Sequence, residues 1–84
     1  MYRIEFSSRA DKQFAKLERV MQERIVQALK RSVVRPKSYF ERLRGDVLYK
    51  LRVGDYRIIA KIEEDKLLIL VIEIGHRKNV YDSL

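Results

Sequence analysis

The sequence predicts an α+β domain with an N-terminal strand, a helical hairpin and then a three-stranded antiparallel meander, the helices packed on one sheet face. Three observations carry this prediction. Tyr2, Ile4 and Phe6 alternate with Arg3 and Glu5, as the side chains of a half-buried strand do. Apolar residues then recur at helical spacing as far as Pro36. From residue 47 the chain returns to a period of two and closes its regular part in a nearly continuous apolar run over 67–74.

Each element has its own reason. Residues 1–6 form the first strand, and Ser7 or Ser8 caps the helix that follows, with Asp11 three residues after Ser8 as a short variant of the capping box. Ala10, Phe14 and Leu17 give that helix an apolar stripe as far as about Glu18. Met21, Ile25, Ala28, Leu29 and Val33 give a second helix over about 20–34, which Pro36 ends. Residues 37–46 have no clear period and are expected to be a connection. A hairpin occupies 47–63. If Gly54-Asp55 is a two-residue type II′ turn, Val53 pairs with Tyr56, Arg52 with Arg57 and Leu51 with Ile58. Glu64-Asp65 makes the next turn, and the apolar run after it fits an interior strand.

Length and composition exclude much. Eighty-four residues make one domain, 1–84, with a single two-layer core. The formal charge of +7 and a pI near 9.9 favour an acidic partner, nucleic acid or acidic protein ahead of an anionic membrane. Without cysteine there is no disulfide, thiol catalysis or thiolate zinc site, and one histidine leaves little for another metal, so neither metal nor cofactor is expected. No apolar run approaches the ~20 residues that span a bilayer, and the opening is too polar for a signal peptide, so a cytoplasmic location is expected.

The hairpin register has a chemical consequence. Alternation sets Val47, Tyr49, Leu51 and Val53 toward the helices and Lys50 and Arg52 away from them, so Arg52 faces Arg57 with Lys61 nearby. Like charges opposite one another on a sheet are unfavourable, which points to a bound anion, phosphate first. Tyr49 and Tyr56 fall on the helix side as core residues, and Tyr39 and Phe40 are expected to cover the core edge. Arg24, Arg31 and Arg35 line one side of the second helix and read as a solvated face more readily than as an RNA contact.

Tyr49-Lys50-Leu51-Arg52, Gly54-Asp55-Tyr56-Arg57-Ile58-Ile59 and Gly75-His76-Arg77-Lys78-Asn79-Val80-Tyr81 together resemble the RelE branch of the RelE/ParE toxin superfamily. Leu43-Arg44-Gly45 and the opening Tyr2, Ile4 and Phe6 fit the same pattern, so the resemblance spans the whole chain. It implies a RelE-like, microbial ribonuclease-type fold. It implies also the toxin of a type II toxin-antitoxin pair, an endoribonuclease that cleaves mRNA in the ribosomal A site without a metal and so inhibits translation. The partners implied are the ribosome, mRNA and a RelB-like antitoxin, the toxin being a monomer alone and part of a hetero-oligomer with its antitoxin. ParE-branch relatives inhibit DNA gyrase instead, and a catalytically inactive RNA-binding relative is the other alternative.

The resemblance also assigns roles. Lys50 matches a lysine that helps to activate the 2′-hydroxyl, Arg57 the arginine that stabilises the phosphate, Arg77 a tail arginine that stabilises charge or donates a proton, and Tyr81 a tail tyrosine that stacks on a base or orients the nucleotide. Arg52 stands where relatives often carry a second lysine; it can bind phosphate but is a poor proton acceptor, which moves the base role to Lys50 or elsewhere. His76 stands where relatives often have lysine and reads equally as an acid or base and as a loop histidine. Arg44, Lys61 and Lys78 complete the set as RNA-binding cations.

Overall fold

Ser7 fixes where the first helix begins. In the computed structural model, which describes residues 1–45 and 47–76, the first strand β1 (Arg3–Phe6) runs into an extended Ser7. The Ser7 hydroxyl accepts the Ala10 amide at 3.1 Å and donates to the Ile72 carbonyl at 3.2 Å, so one side chain caps the helix and ties it to a distant strand. Helix α1 spans Ser8–Ala15 and α2 spans Arg19–Ser32. α2 buries Ile25, Ala28, Leu29 and Ser32, and the Ser32 hydroxyl donates to the Leu29 carbonyl at 2.7 Å.

Residues 37–46, expected as an irregular connection, hold two elements. Pro36 opens a short helix α3 (Pro36–Tyr39), a position where its fixed φ helps and its missing N–H costs nothing. A fifth strand β2 (Glu41–Arg44) follows. Its sequence, Glu-Arg-Leu-Arg, carries little apolar alternation because it lies at the sheet edge, where charge is common.

The meander is β3 (Leu48–Val53), β4 (Tyr56–Glu63) and β5 (Leu68–His76), with a 3-10 turn Glu64–Lys66 before β5. The sheet order is β1-β5-β4-β3-β2, with β1 parallel to β5 and the other neighbours antiparallel. β1 pairs only with Leu68 to Val71. Beyond Val71 helix α1 takes its place, and the Gln13 side chain accepts the Ile74 amide at 2.7 Å, so the exposed edge of β5 is satisfied by a side chain instead of a strand.

The pairing of β4 with β5 slips by one residue at Ile72. That bulge keeps Ile69, Val71 and Ile74 in the core with Ile58, Ala60 and Ile62, and turns Glu73 to the other face opposite Ile59. Tyr49, Leu51, Val53, Ala10, Ile25, Leu29 and Phe40 complete the core between sheet and helices. Among the described residues no helix is long and apolar enough to cross a membrane.

Candidate nucleic-acid interface

The site is built on the β3–β4 hairpin. Gly54 has φ of +59°, Asp55 does not share the left-handed conformation, and Val53 pairs with Tyr56 across them, the arrangement a type II′ turn requires. Arg52 is therefore directly opposite Arg57, Lys50 opposite Ile59 and Leu48 opposite Lys61, as the sequence predicts for the pairs nearest the turn. Pleating then gathers Lys50, Arg52, Arg57 and Lys61 on the face away from the core, around a fully buried Ile59.

The four cations are not equivalent. Arg52 and Lys61 are exposed, the Lys50 side chain retains 22% exposure, and Arg57 retains only 7%. A guanidinium held so far from bulk water acts on a nearby anion through a lower effective dielectric than a surface cation does. Arg57 is thus the cation of the four whose charge is least screened by solvent. The Lys50 ammonium lies 3.7 Å from the Glu41 carboxylate of β2, so the unexpected strand contributes an acid at the edge of the site. A cleft of about 460 Å³ opens here, lined by Tyr39, Glu41, Lys50, Leu51 and Arg52. Phe40 is buried, as expected of a packing residue, but Tyr39 is half exposed and offers an aromatic surface beside Lys50.

Glu73 is a further group on this face that the sequence reading missed. It is almost fully buried and its carboxylate lies 3.3 Å from the Arg9 guanidinium. Its signal in the sequence is a lone acid inside an otherwise apolar strand.

Other candidates lie elsewhere. His76 pairs with Tyr56 and packs its ring edge-on against that tyrosine, centroids 5.7 Å apart, in a depression shared with Leu17, Met21 and Arg24. That is the helix side of the sheet, across from Lys50 and Arg57. Tyr49 is buried and Tyr56 half-buried on the same side, as core residues. Arg44 ends β2 opposite Leu48. Arg77, Lys78 and Tyr81 lie outside the described residues. Among the described residues no three His, Asp or Glu side chains are gathered as a metal would need.

A cluster of cations on a rigid hairpin, with one arginine buried, can hold a phosphodiester and stabilise negative charge developing on it. The chain matches the ParE toxin of type II toxin-antitoxin systems over residues 4–81. It is 29% identical over 80 residues to the mRNA interferase toxin RelE of Escherichia coli strain K12, covering 92% of this chain and 84% of that one. The isolated E. coli RelE toxin superimposes with a TM-score of 0.78 at 26% identity, over 99% of this chain and 94% of that one. In the intact E. coli RelBE toxin-antitoxin complex the match has a TM-score of 0.79 at 25% identity, over 90% and 96%. The chain belongs to the ParE toxin family of type II toxin-antitoxin systems and is a RelE-type toxin within it.

Proposed function

We propose that this toxin is a metal-independent endoribonuclease that cleaves mRNA in the ribosomal A site and thereby inhibits translation. The observation that carries the reading is the convergence of Lys50, Arg52 and Arg57 on one sheet face, with Arg57 nearly buried. A relative bearing the name mRNA interferase supports it. In the proposed step the 2′-oxygen of the substrate attacks the adjacent phosphorus, the 5′-oxygen of the next nucleotide leaves, and a 2′,3′-cyclic phosphate and a 5′-hydroxyl result. The proton taken from the 2′-hydroxyl is balanced by one given to the leaving oxygen. Lys50 addresses the 2′-hydroxyl, Arg52 holds a non-bridging oxygen, and Arg57 meets the charge that grows on the phosphorane. Arg77 and Tyr81 are proposed to complete the site from the tail, with Arg44, Lys61 and Lys78 on flanking phosphates. His76, across the sheet, is left out of the proton transfer.

In the cytoplasm such an activity requires restraint, and a RelB-like antitoxin is the proposed partner, the toxin alone being a monomer. Complexes of this kind are among the chain's structural neighbours. The match to ParE keeps one second reading, a gyrase-inhibiting toxin with no catalysis.

Primer extension on a defined mRNA in a reconstituted translation reaction, beside a ribosome-free lane, separates the two. New ends confined to ribosome-bound codons are expected. They should fall by about 10²–10³-fold in Arg57→Met, which keeps most of the buried stem while removing the charge. Intact mRNA from folded protein, together with loss of gyrase supercoiling, would overturn the nuclease reading.

A further inference from the structure

β2 pairs with β3 only as far as Lys50, opposite Glu41, so Arg52 and Val53 extend past the end of the edge strand. Between this uncovered stretch and α2 lies a groove of about 450 Å³. Arg24 and Arg31 enter it from the helix and Arg52 from the strand, while Gly54 closes one end. The Arg24 guanidinium rests on the turn itself: a Cβ at Gly54 would stand 3.1 Å from its Nη1 and 3.3 Å from its Nη2.

The electrostatics of this groove are one-sided. Among the described residues neither Arg24, Arg31 nor Arg52 forms an ion pair or a side-chain hydrogen bond. The one acid lining the groove, Glu23, is engaged by Arg19 at 3.5 Å along the helix. Bringing three guanidinium groups to one depression raises the energy of the free protein, and an anion seated among them reverses that. Arginine suits phosphate because its planar fork makes two parallel hydrogen bonds. Arg52 also lines the cleft that holds Lys50 and Tyr39, so the groove and the sheet face share a wall.

We propose that the groove is a phosphate track for RNA. An RNA strand whose reacting nucleotide lies on the Lys50 and Arg57 face passes Arg52, turns around the open end of β3 and sets its next phosphates against Arg24 and Arg31. This rests on the RNA-directed reading of the sheet face. The two arginines of α2, at first sight a solvated stripe, are thereby separated from Arg35, which does not reach the groove.

The test is binding of a fluorescent single-stranded RNA carrying 2′-O-methyl groups throughout, which cannot be cut through its own hydroxyls. Affinity is followed by anisotropy over a salt series for the wild-type chain, Arg24→Gln, Arg31→Gln and the charge-matched control Lys12→Gln on α1. Each groove variant is expected to weaken binding several-fold at low salt and to reduce the slope of log K against log salt by about 0.7, the share of one single-strand phosphate contact. Lys12→Gln is expected to leave the slope where it was. Arg31→Gln serves where Arg24→Gln disturbs the turn, and a thermal melt of each variant verifies its fold.

An Arg31→Gln slope equal to that of Lys12→Gln overturns the proposal, as does a wild-type chain that fails to bind the oligonucleotide at low salt. Loss of binding to a glutamate-rich peptide in the groove variants, with RNA affinity intact, overturns it in favour of an acidic protein segment. Failure of the nuclease reading registers separately, as absent cleavage in the translation reaction with the slope change preserved.

Discussion

Arg52 on β3 stands directly across from Arg57 on β4, two arginines in register on one face of the sheet. One is exposed to solvent and the other is buried. Cross-strand like charges destabilise a sheet, and this pair lies next to a turn whose geometry leaves no alternative register.

Neutralising the exposed member should therefore stabilise the fold while weakening the site. Arg52→Gln is expected to raise the urea midpoint at unchanged m-value, by an amount equivalent to roughly 0.2–1 kcal/mol. The same variant should bind single-stranded RNA less tightly. A lower midpoint would mean that Arg52 supports the hairpin instead of straining it.

The turn offers a second test. Gly54 and Gly45 both have φ of +59°, but the space around them differs: nothing lies within 4 Å of a Cβ built on Gly45, whereas one on Gly54 meets the Arg24 guanidinium. Alanine at either position carries left-handed strain of about 1–2 kcal/mol. Gly54→Ala should add to that the displacement of Arg24, and so lose both stability and RNA affinity, while Gly45→Ala loses stability alone. Equal RNA affinity in the two variants would separate Arg24 from the binding surface.

The hairpin was legible because local rules and charge pattern agree there: Gly54-Asp55 sets the turn, the turn sets the register, and the register places the cations. The capping serine and the two long helices were legible from their periodicity, to within a few residues. β2 was not, because an edge strand rich in Glu and Arg carries no apolar alternation, and only its pairing with β3 defines it. His76 does not announce its side of the sheet, for a related reason. Its sequence neighbours are basic, but its side depends on the pleat counted from Tyr56, and the count puts it with the core. Glu73 was hidden by the bulge at Ile72, since strict alternation along β5 does not reveal which residues the slip exchanges between faces. The groove at Arg24 and Arg31 depends on where β2 ends, which the sequence does not mark.

The edge of β5 gives a prediction independent of function. The Ile74 amide has no strand beside it and donates to the Gln13 side chain at 2.7 Å. Gln13→Ala leaves that part-buried donor without its acceptor, at a cost of about 1–3 kcal/mol. Gln13→Glu keeps an oxygen in reach and should lose less. Hydrogen exchange at the Ile74 amide reports the change directly, with protection falling in the alanine variant. Protection equal to wild type would show that the amide is satisfied by another group.

Lys37 of α3 lies 3.1 Å from the Glu64 carboxylate, and its ammonium sits 5.8 Å from the Tyr49 ring centroid. The hydrogen bond to Glu64, followed by that to Tyr49, holds Lys37 above its ordinary value of 10.5. A folded-state pKa above the unfolded one means that the folded chain keeps its proton longer, so the contribution to stability is fully present below the unfolded value and is lost as pH rises through the folded one. The urea midpoint of wild type minus that of Lys37→Met should accordingly be positive and flat from neutrality up to the ordinary lysine value, then fall toward zero above it. Because the pair is exposed to solvent, the difference should also shrink with added salt. A difference that persists at pH well above 10.5, or that ignores salt, would assign Lys37's role to the packing of its stem against Tyr49 and not to its charge.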